Sequence, residues 1–136
     1  MIKVREGAFE TNSSSVHSLV VCEDGEYQKL RRHEAMIACG NDIVSKEDVV
    51  KNLINAAANG ERANMAKMVK EEFGEDLPQD LRDLSDEVFR YLAYYYIEAQ
   101  YLDDYMDDER LETYSYTYVT SRGDTICIFG KYGRDD

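Results

Sequence analysis

The sequence predicts an α+β fold: a small antiparallel sheet packed against about three helices. Three observations predict it. Thr113-Tyr114-Ser115-Tyr116-Thr117-Tyr118-Val119-Thr120 alternates at the period of a strand, and residues 125–129 return after Ser121-Arg122-Gly123-Asp124, as a hairpin does. Residues 16–22 carry the β-formers Leu19, Val20 and Val21 and stop at Glu23-Asp24-Gly25. Two segments that open on a serine, Ser45 and Ser85, carry apolar residues at helical spacing.

Taken in order, Ile2-Lys3-Val4-Arg5 alternates as a short strand or arm ended by Gly7. A polar loop and the 16–22 strand follow. Residues 26–33 predict a short helix with Tyr27 and Leu30 inward, and 35–39 a short strand closed by Gly40-Asn41-Asp42. Ser45 opens a helix whose Val49, Val50, Leu53, Ile54 and Ala57 share a face, and Asn59-Gly60 stops it. A second helix over 61–73 ends at Gly74, and 77–80 is a linker or single turn around Pro78. The longest predicted helix runs from Ser85 to Asp108. Its Val88, Leu92, Tyr95, Ala99, Leu102 and Met106 form a seam, flanked by further aromatic residues, so a central position is expected.

Composition narrows the class. The 136 residues fit one domain, 1–136, and a chain this long buries roughly 68% of its unfolded surface without staples. A hydrophobic share of 43% marks a folded chain despite the net charge of −12. That charge repels nucleic acid and anionic membranes and favours a partner with a basic surface. It is unevenly spread: residues 61–136 hold nine Lys and Arg against 19 Asp and Glu. No apolar run is long enough to span a bilayer, and no charged-then-apolar leader opens at Met1, so a cytoplasmic location is expected. Cys22, Cys39 and Cys127 are odd in number and lie among apolar residues, so reduced core thiols are expected.

Several constellations invite a chemical reading. Asp103, Asp104, Tyr105, Asp107 and Asp108, with Tyr101 and Glu109 beside them, would place carboxylates at i and i+4 on a helix, about 6 Å apart. A solvated helix end, an interaction surface and a metal site are the three readings of such a row. The second acidic segment that pyrophosphate-metal enzymes need is missing, so no metal and no cofactor is expected. Eleven tyrosines offer a second feature. Tyr94-Tyr95-Tyr96 cannot all face one core, since neighbours on a helix diverge by about 100°. The ladder Tyr114, Tyr116, Tyr118 reads first as core with hydroxyls at the rim, then as a binding surface. Exposed tyrosines also offer a contact for a homodimer.

Glu10, Thr11, Asn12, Ser13, Ser14, Ser15 and His17 form the polar loop. A Ser-His-acid set can be written from it, but it lacks a nucleophile elbow and an oxyanion hole, so no catalytic residue is assigned. Two uses stay open. Asx and Ser/Thr turns would make it a structural latch, and successive N–H groups and hydroxyls would make it a cradle for a phosphate or small ligand. His17, His33, Cys22 and Cys39 lack zinc-ligand spacing. Arg122-Gly123-Asp124 is a hairpin turn.

Gly7-Ala8-Phe9-Glu10-Thr11-Asn12-Ser13-Ser14-Ser15-Val16-His17-Ser18-Leu19 resembles an N-terminal motif shared by small proteins of bacteriophages and of mobile elements in Gram-positive bacteria. The resemblance covers about the first 22 residues. It implies a phage or prophage origin and carries no activity with it. Together with the charge, it leads to one expectation: a non-enzymatic protein that binds and inhibits a host macromolecule in the bacterial cytoplasm. A nucleic-acid-handling defence protein, of the kind that CRISPR or restriction systems supply, is the expected target, met through the acidic, tyrosine-rich half by nucleic-acid mimicry or simple charge. The competing expectation is a small-ligand or nucleotide-binding protein, or an enzyme, with its site in the Glu10–Ser18 loop.

Overall fold

Two small antiparallel sheets and five helices make up the α+β architecture of the computed structural model, which describes residues 15–107 and 112–133. In chain order these are β1 (Ser15–Glu23), α1 (Asp24–Arg31), β2 (Ala35–Ile37), β3 (Ile43–Ser45), α2 (Lys46–Ala56), α3 (Arg62–Phe73), α4 (Asp86–Ile97), α5 (Leu102–Met106), β4 (Glu112–Val119) and β5 (Thr125–Gly133). The predicted 2–5 strand lies outside the described residues.

The hairpin forms as its alternation predicts. β5 sits in the middle of a three-stranded sheet of order β1-β5-β4. Cys22 lies opposite Cys127 and Val20 opposite Phe129, while Tyr116 and Tyr118 lie opposite Ile128 and Ile126. The first face packs on α1 and α5: Phe129 meets Tyr27 at 5.6 Å and Tyr105 at 5.9 Å between ring centroids. The tyrosine face does not behave as core. Tyr116 and Tyr118 are 46% and 54% exposed, because α1 and α5 cover the opposite side of the sheet.

A second sheet pairs β2 with β3, linked by a turn in which Gly40 adopts φ +83. β2 is wholly buried and separates two apolar clusters. Met36 joins Val49, Leu53, Met65, Val69, Leu92 and others between α2, α3 and α4. Ala35 and Ile37 join Val20, Leu30, Tyr105 and Phe129 under the larger sheet. Each fully buried aliphatic side chain of this kind contributes about 1.5–3 kcal/mol.

Serines cap the helices as predicted. Ser45 Oγ accepts from the Asp48 N–H at 3.1 Å, and Ser85 Oγ from the Val88 N–H at 3.4 Å. Gly74, at φ +69, ends α3.

The predicted long helix 85–108 is two helices. Glu98 takes a left-handed conformation, φ 58 and ψ 37, and the Ala99 N–H reaches back to the Ala93 carbonyl at 3.2 Å. Gln100 then exchanges both backbone hydrogen bonds with Ile37, at 2.8 and 2.9 Å. That long-range pairing breaks a seam whose spacing alone is continuous. One further expectation changes. Cys22 and Cys127 are buried free thiols, but Cys39 is exposed. Burial pushes the Cys22 thiol up to about 12, reinforced by Cys127, Glu26 and Asp24. Among the described residues, no helix is long and apolar enough to cross a membrane.

Candidate protein-interaction site

The break after α4 turns the chain so that α5 lies beside the start of α4, and this creates the most connected polar cluster among the described residues. Asp86 and Arg90 share one face of α4 at i and i+4, with Arg90 Nε donating to Asp86 Oδ2 at 2.9 Å. The same guanidinium, through Nη1, donates to Asp103 Oδ2 at 3.3 Å and to Asp104 at 3.1 and 3.2 Å. Its carbon lies 4.9 Å from the Tyr101 ring centroid. His33, the left-handed residue after α1 with φ 62, stacks on Tyr101 at 3.9 Å and 15°. Its Nε2 sits 2.8 Å from Asp103 Oδ1.

Burial acts to raise the Asp103 carboxyl. The His33 hydrogen bond, the Asp103 backbone N–H and the charges of His33 and Arg90 outweigh it and hold that carboxyl below its ordinary value. Tyr101 is fully buried, and its hydroxyl, near the Lys46 ammonium, makes no hydrogen bond of regular geometry among the described residues. Burial drives its phenol up, with the nearby Lys46 ammonium opposing. Lys46 lies 5.9 Å from that ring and 5.2 Å from Phe89.

Several of the predicted surface residues therefore have internal work. Asp103 and Asp104 are tied to His33 and Arg90, and Tyr101 is buried. Tyr105 packs under β5 with the Lys131 ammonium 4.3 Å from its ring. Asp107 is exposed, but it ends α5 at φ −89 and ψ 87, so the expected i, i+4 row of carboxylates is not helical there. Asp108 and Glu109 lie outside the described residues. So do Glu10, Thr11, Asn12, Ser13 and Ser14 of the loop. Ser15 opens β1 opposite Gly133, and His17 falls where the β1–β5 register shifts between Val16 and Ser18.

Beside the cluster, α4 presents an aromatic surface. Tyr94 and Tyr95 are 53% and 61% exposed, as the geometry of three consecutive helical tyrosines requires of at least one of them. Tyr95 meets Tyr91 at 4.7 Å and 50°, and Tyr94 at 5.7 Å and 81°. Together with Arg90, Gln100 and Asp104 these rings line a cleft of about 390 Å³. Tyr91 is braced by Phe73 edge-on at 5.4 Å, and Tyr96 turns inward, accepting from Asn64 Nδ2 at 2.7 Å. Burial, then Tyr95, Glu72 and Glu71, raises the Tyr91 phenol.

A larger groove of about 830 Å³ runs between α1 and α2. It mixes Lys29, Lys46 and Arg82 with Glu26, Glu34 and Glu47, so it offers neither sign of charge in excess. Sequence reading missed Arg90, Asp86, His33 and Gln100 as site residues. The Asp86–Arg90 spacing was the one local signal, whereas His33 and Gln100 arrive through tertiary contacts. Among the described residues, no three His, Cys, Asp or Glu side chains are grouped to hold a metal ion. No family model, curated protein or solved structure matches the chain.

Proposed function

We propose that this protein captures a basic surface on a partner macromolecule and blocks it, using the acidic, tyrosine-bearing face formed by α4, α5 and the end of α3. One observation carries the reading: Tyr94 and Tyr95 stand exposed on α4, with Asp86, Asp103 and Asp104 gathered on Arg90 of the same helix and Glu71 and Glu72 exposed at the end of α3. Aromatic side chains at this exposure supply contact area, and the surrounding charge supplies steering and selects against anionic partners. The partner class follows from the charge: proteins that handle nucleic acid carry the basic grooves that such a face fits. The motif over Gly7–Leu19 supports a phage or mobile-element source, which makes a host defence nuclease the target we infer. Because α5 ends at Met106 and Arg90 occupies Asp103 and Asp104, we favour plain charge capture over a carboxylate copy of a phosphate backbone.

A host carrying an active CRISPR or restriction system provides the test. Expression of the protein should raise plaquing of a targeted phage at least tenfold. A variant with Glu71→Lys, Glu72→Lys and Asp107→Lys, all three exposed and outside any described ion pair, should lose that effect while its circular dichroism stays unchanged. Unchanged plaquing across a panel of such systems would retire the reading.

A further inference from the structure

We propose that Cys22 and Cys127 form an oxidation site, a convertible dithiol that a peroxide closes into a disulfide between β1 and β5. The inference goes beyond the charge-capture reading and does not rest on it. The two residues face each other directly in the antiparallel register of β1 with β5. Facing residues of such a pair lie about 4.5–5.5 Å apart at Cα, within the roughly 4.4–6.8 Å that disulfides span. Both side chains lie on the same side of the sheet, buried in the apolar cluster with Val20 and Phe129. Both are free thiols. Cys39 is exposed in the β2–β3 turn and is no part of that cluster.

The register also makes the bond reversible. Facing Cβ atoms sit about 4.5–5.5 Å apart, whereas a disulfide holds them at about 3.5–4.5 Å. Closure therefore draws the two strands together, and a strained disulfide is the more easily reduced. Such a pair suits opening and closing better than permanent bracing.

Access comes from the β1 side. Cys22 stands next to the end of an edge strand, on the wall of a cleft of about 480 Å³ that it shares with Glu23, Glu26, Arg122 and Asp124. Cys127 lies in the central strand. Cys22 is thus the sulfur that meets the oxidant first. Three carboxylates against one guanidinium repel an anionic oxidant, and a small neutral peroxide escapes that repulsion.

The Cys22 thiolate attacks one peroxide oxygen, the O–O bond breaks and hydroxide leaves, so that Cys22 becomes a sulfenic acid. The Cys127 sulfur then attacks the Cys22 sulfur and displaces its hydroxyl group. In sum, two thiols and one hydrogen peroxide give one disulfide and two waters. Both sulfurs are oxidised, both peroxide oxygens are reduced, and the two thiol protons end in the waters. The dithiol is the resting state. Burial, then Cys127, Glu26 and Asp24, pushes the Cys22 thiol up to about 12, and Cys127 Sγ donates to Asp24 Oδ1 at 3.8 Å. Because the thiolate is the attacking form, closure at neutral pH is slow and needs sustained oxidant.

Peroxide treatment of the folded full chain, followed by alkylation of the remaining thiols and intact mass measurement, tests the proposal. The product should be two hydrogens lighter than the untreated chain and should carry one alkyl group, on Cys39. A digest without reductant should yield a joined peptide holding Cys22 and Cys127, and dithiothreitol should separate it. Cys39→Ser should close as wild type does, whereas Cys22→Ala should leave Cys127 open to alkylation after denaturation. If that core variant fails to fold, the wild-type digest decides alone. All five helices lie between the two cysteines in the chain, so the bond closes a long loop and should raise the melting temperature by about 5 °C. Full alkylation of Cys22 and Cys127 after treatment would overturn the proposal, as would sulfinic acids in place of the bond. A linkage that runs through Cys39 would do the same, and so would a lower melting temperature, since the bond would then break the register that places it.

Discussion

At the scale of single residues, the cluster around Tyr101 sets two opposing terms side by side. The Tyr101 hydroxyl is buried with only the nearby Lys46 ammonium to meet it and no hydrogen bond of regular geometry among the described residues, and an unsatisfied buried hydroxyl costs about 1–3 kcal/mol. Tyr101→Phe keeps the ring that His33 stacks on and deletes the orphan, so it should leave stability unchanged or raise it by about 1 kcal/mol in urea unfolding. A clear loss would show that the hydroxyl is satisfied in solution. Asp103 behaves in the opposite way. Its carboxyl is held below its ordinary value by His33, its own backbone N–H and Arg90, against the effect of burial. A folded-state value below the unfolded one stabilises above the ordinary carboxylate range, near pH 4, and that contribution disappears as pH falls through the lowered value. The side chain is 56% exposed, so solvent screening limits the effect to about 0.5 kcal/mol. Asp103→Asn should therefore unfold more easily than wild type at pH 7, and the two should converge below about pH 4.

Among the elements, those that depend on local chemistry were legible in the sequence. The hairpin, the Ser45 and Ser85 caps and the Gly74 stop follow from period and capping residues, and each forms. What was not legible depends on distant partners. The seam from Val88 to Met106 reads as one helix because nothing in its spacing announces the bridge from Gln100 to Ile37. The side of the β4–β5 hairpin that would be covered was equally unreadable, since α1 and α5 decide it. The same holds for the candidate site: exposure of a tyrosine in 94–96 was foreseeable from helix geometry, but the gathering of Asp103 and Asp104 onto Arg90 needs the break. At that break Glu98 occupies a left-handed position that costs a side-chain-bearing residue about 1–2 kcal/mol. Glu98→Gly should recover about 1 kcal/mol of it, read as a higher urea midpoint at unchanged slope. A lower midpoint would mean that the Glu98 side chain contributes more than its backbone strain costs.

For the whole molecule, the decisive quantity is the charge of −12 and its placement, with residues 61–136 carrying most of it. Ion pairs offset little of this excess. The described pairs are largely exposed, and such pairs contribute about 0–1 kcal/mol each. The folded chain therefore holds like charges closer together than the unfolded chain does, and repulsion works against folding. At about 10 mM salt the screening length is about 30 Å and at 0.1 M about 10 Å, so added salt removes most of the repulsion between exposed charges farther apart than that. Raising NaCl from about 10 mM to about 200 mM should thus raise the melting temperature by a few degrees. The same change should weaken capture of a basic partner, because steering and attraction across the interface are screened by the same ions. Opposite responses of fold and complex to one variable, measured by calorimetry on the protein alone and by titration with the partner, are what a charge-driven interaction face requires. If the complex instead tightened with salt while the fold also gained, the contact would be apolar, and the exposed tyrosines of β4 would become the surface to mutate first.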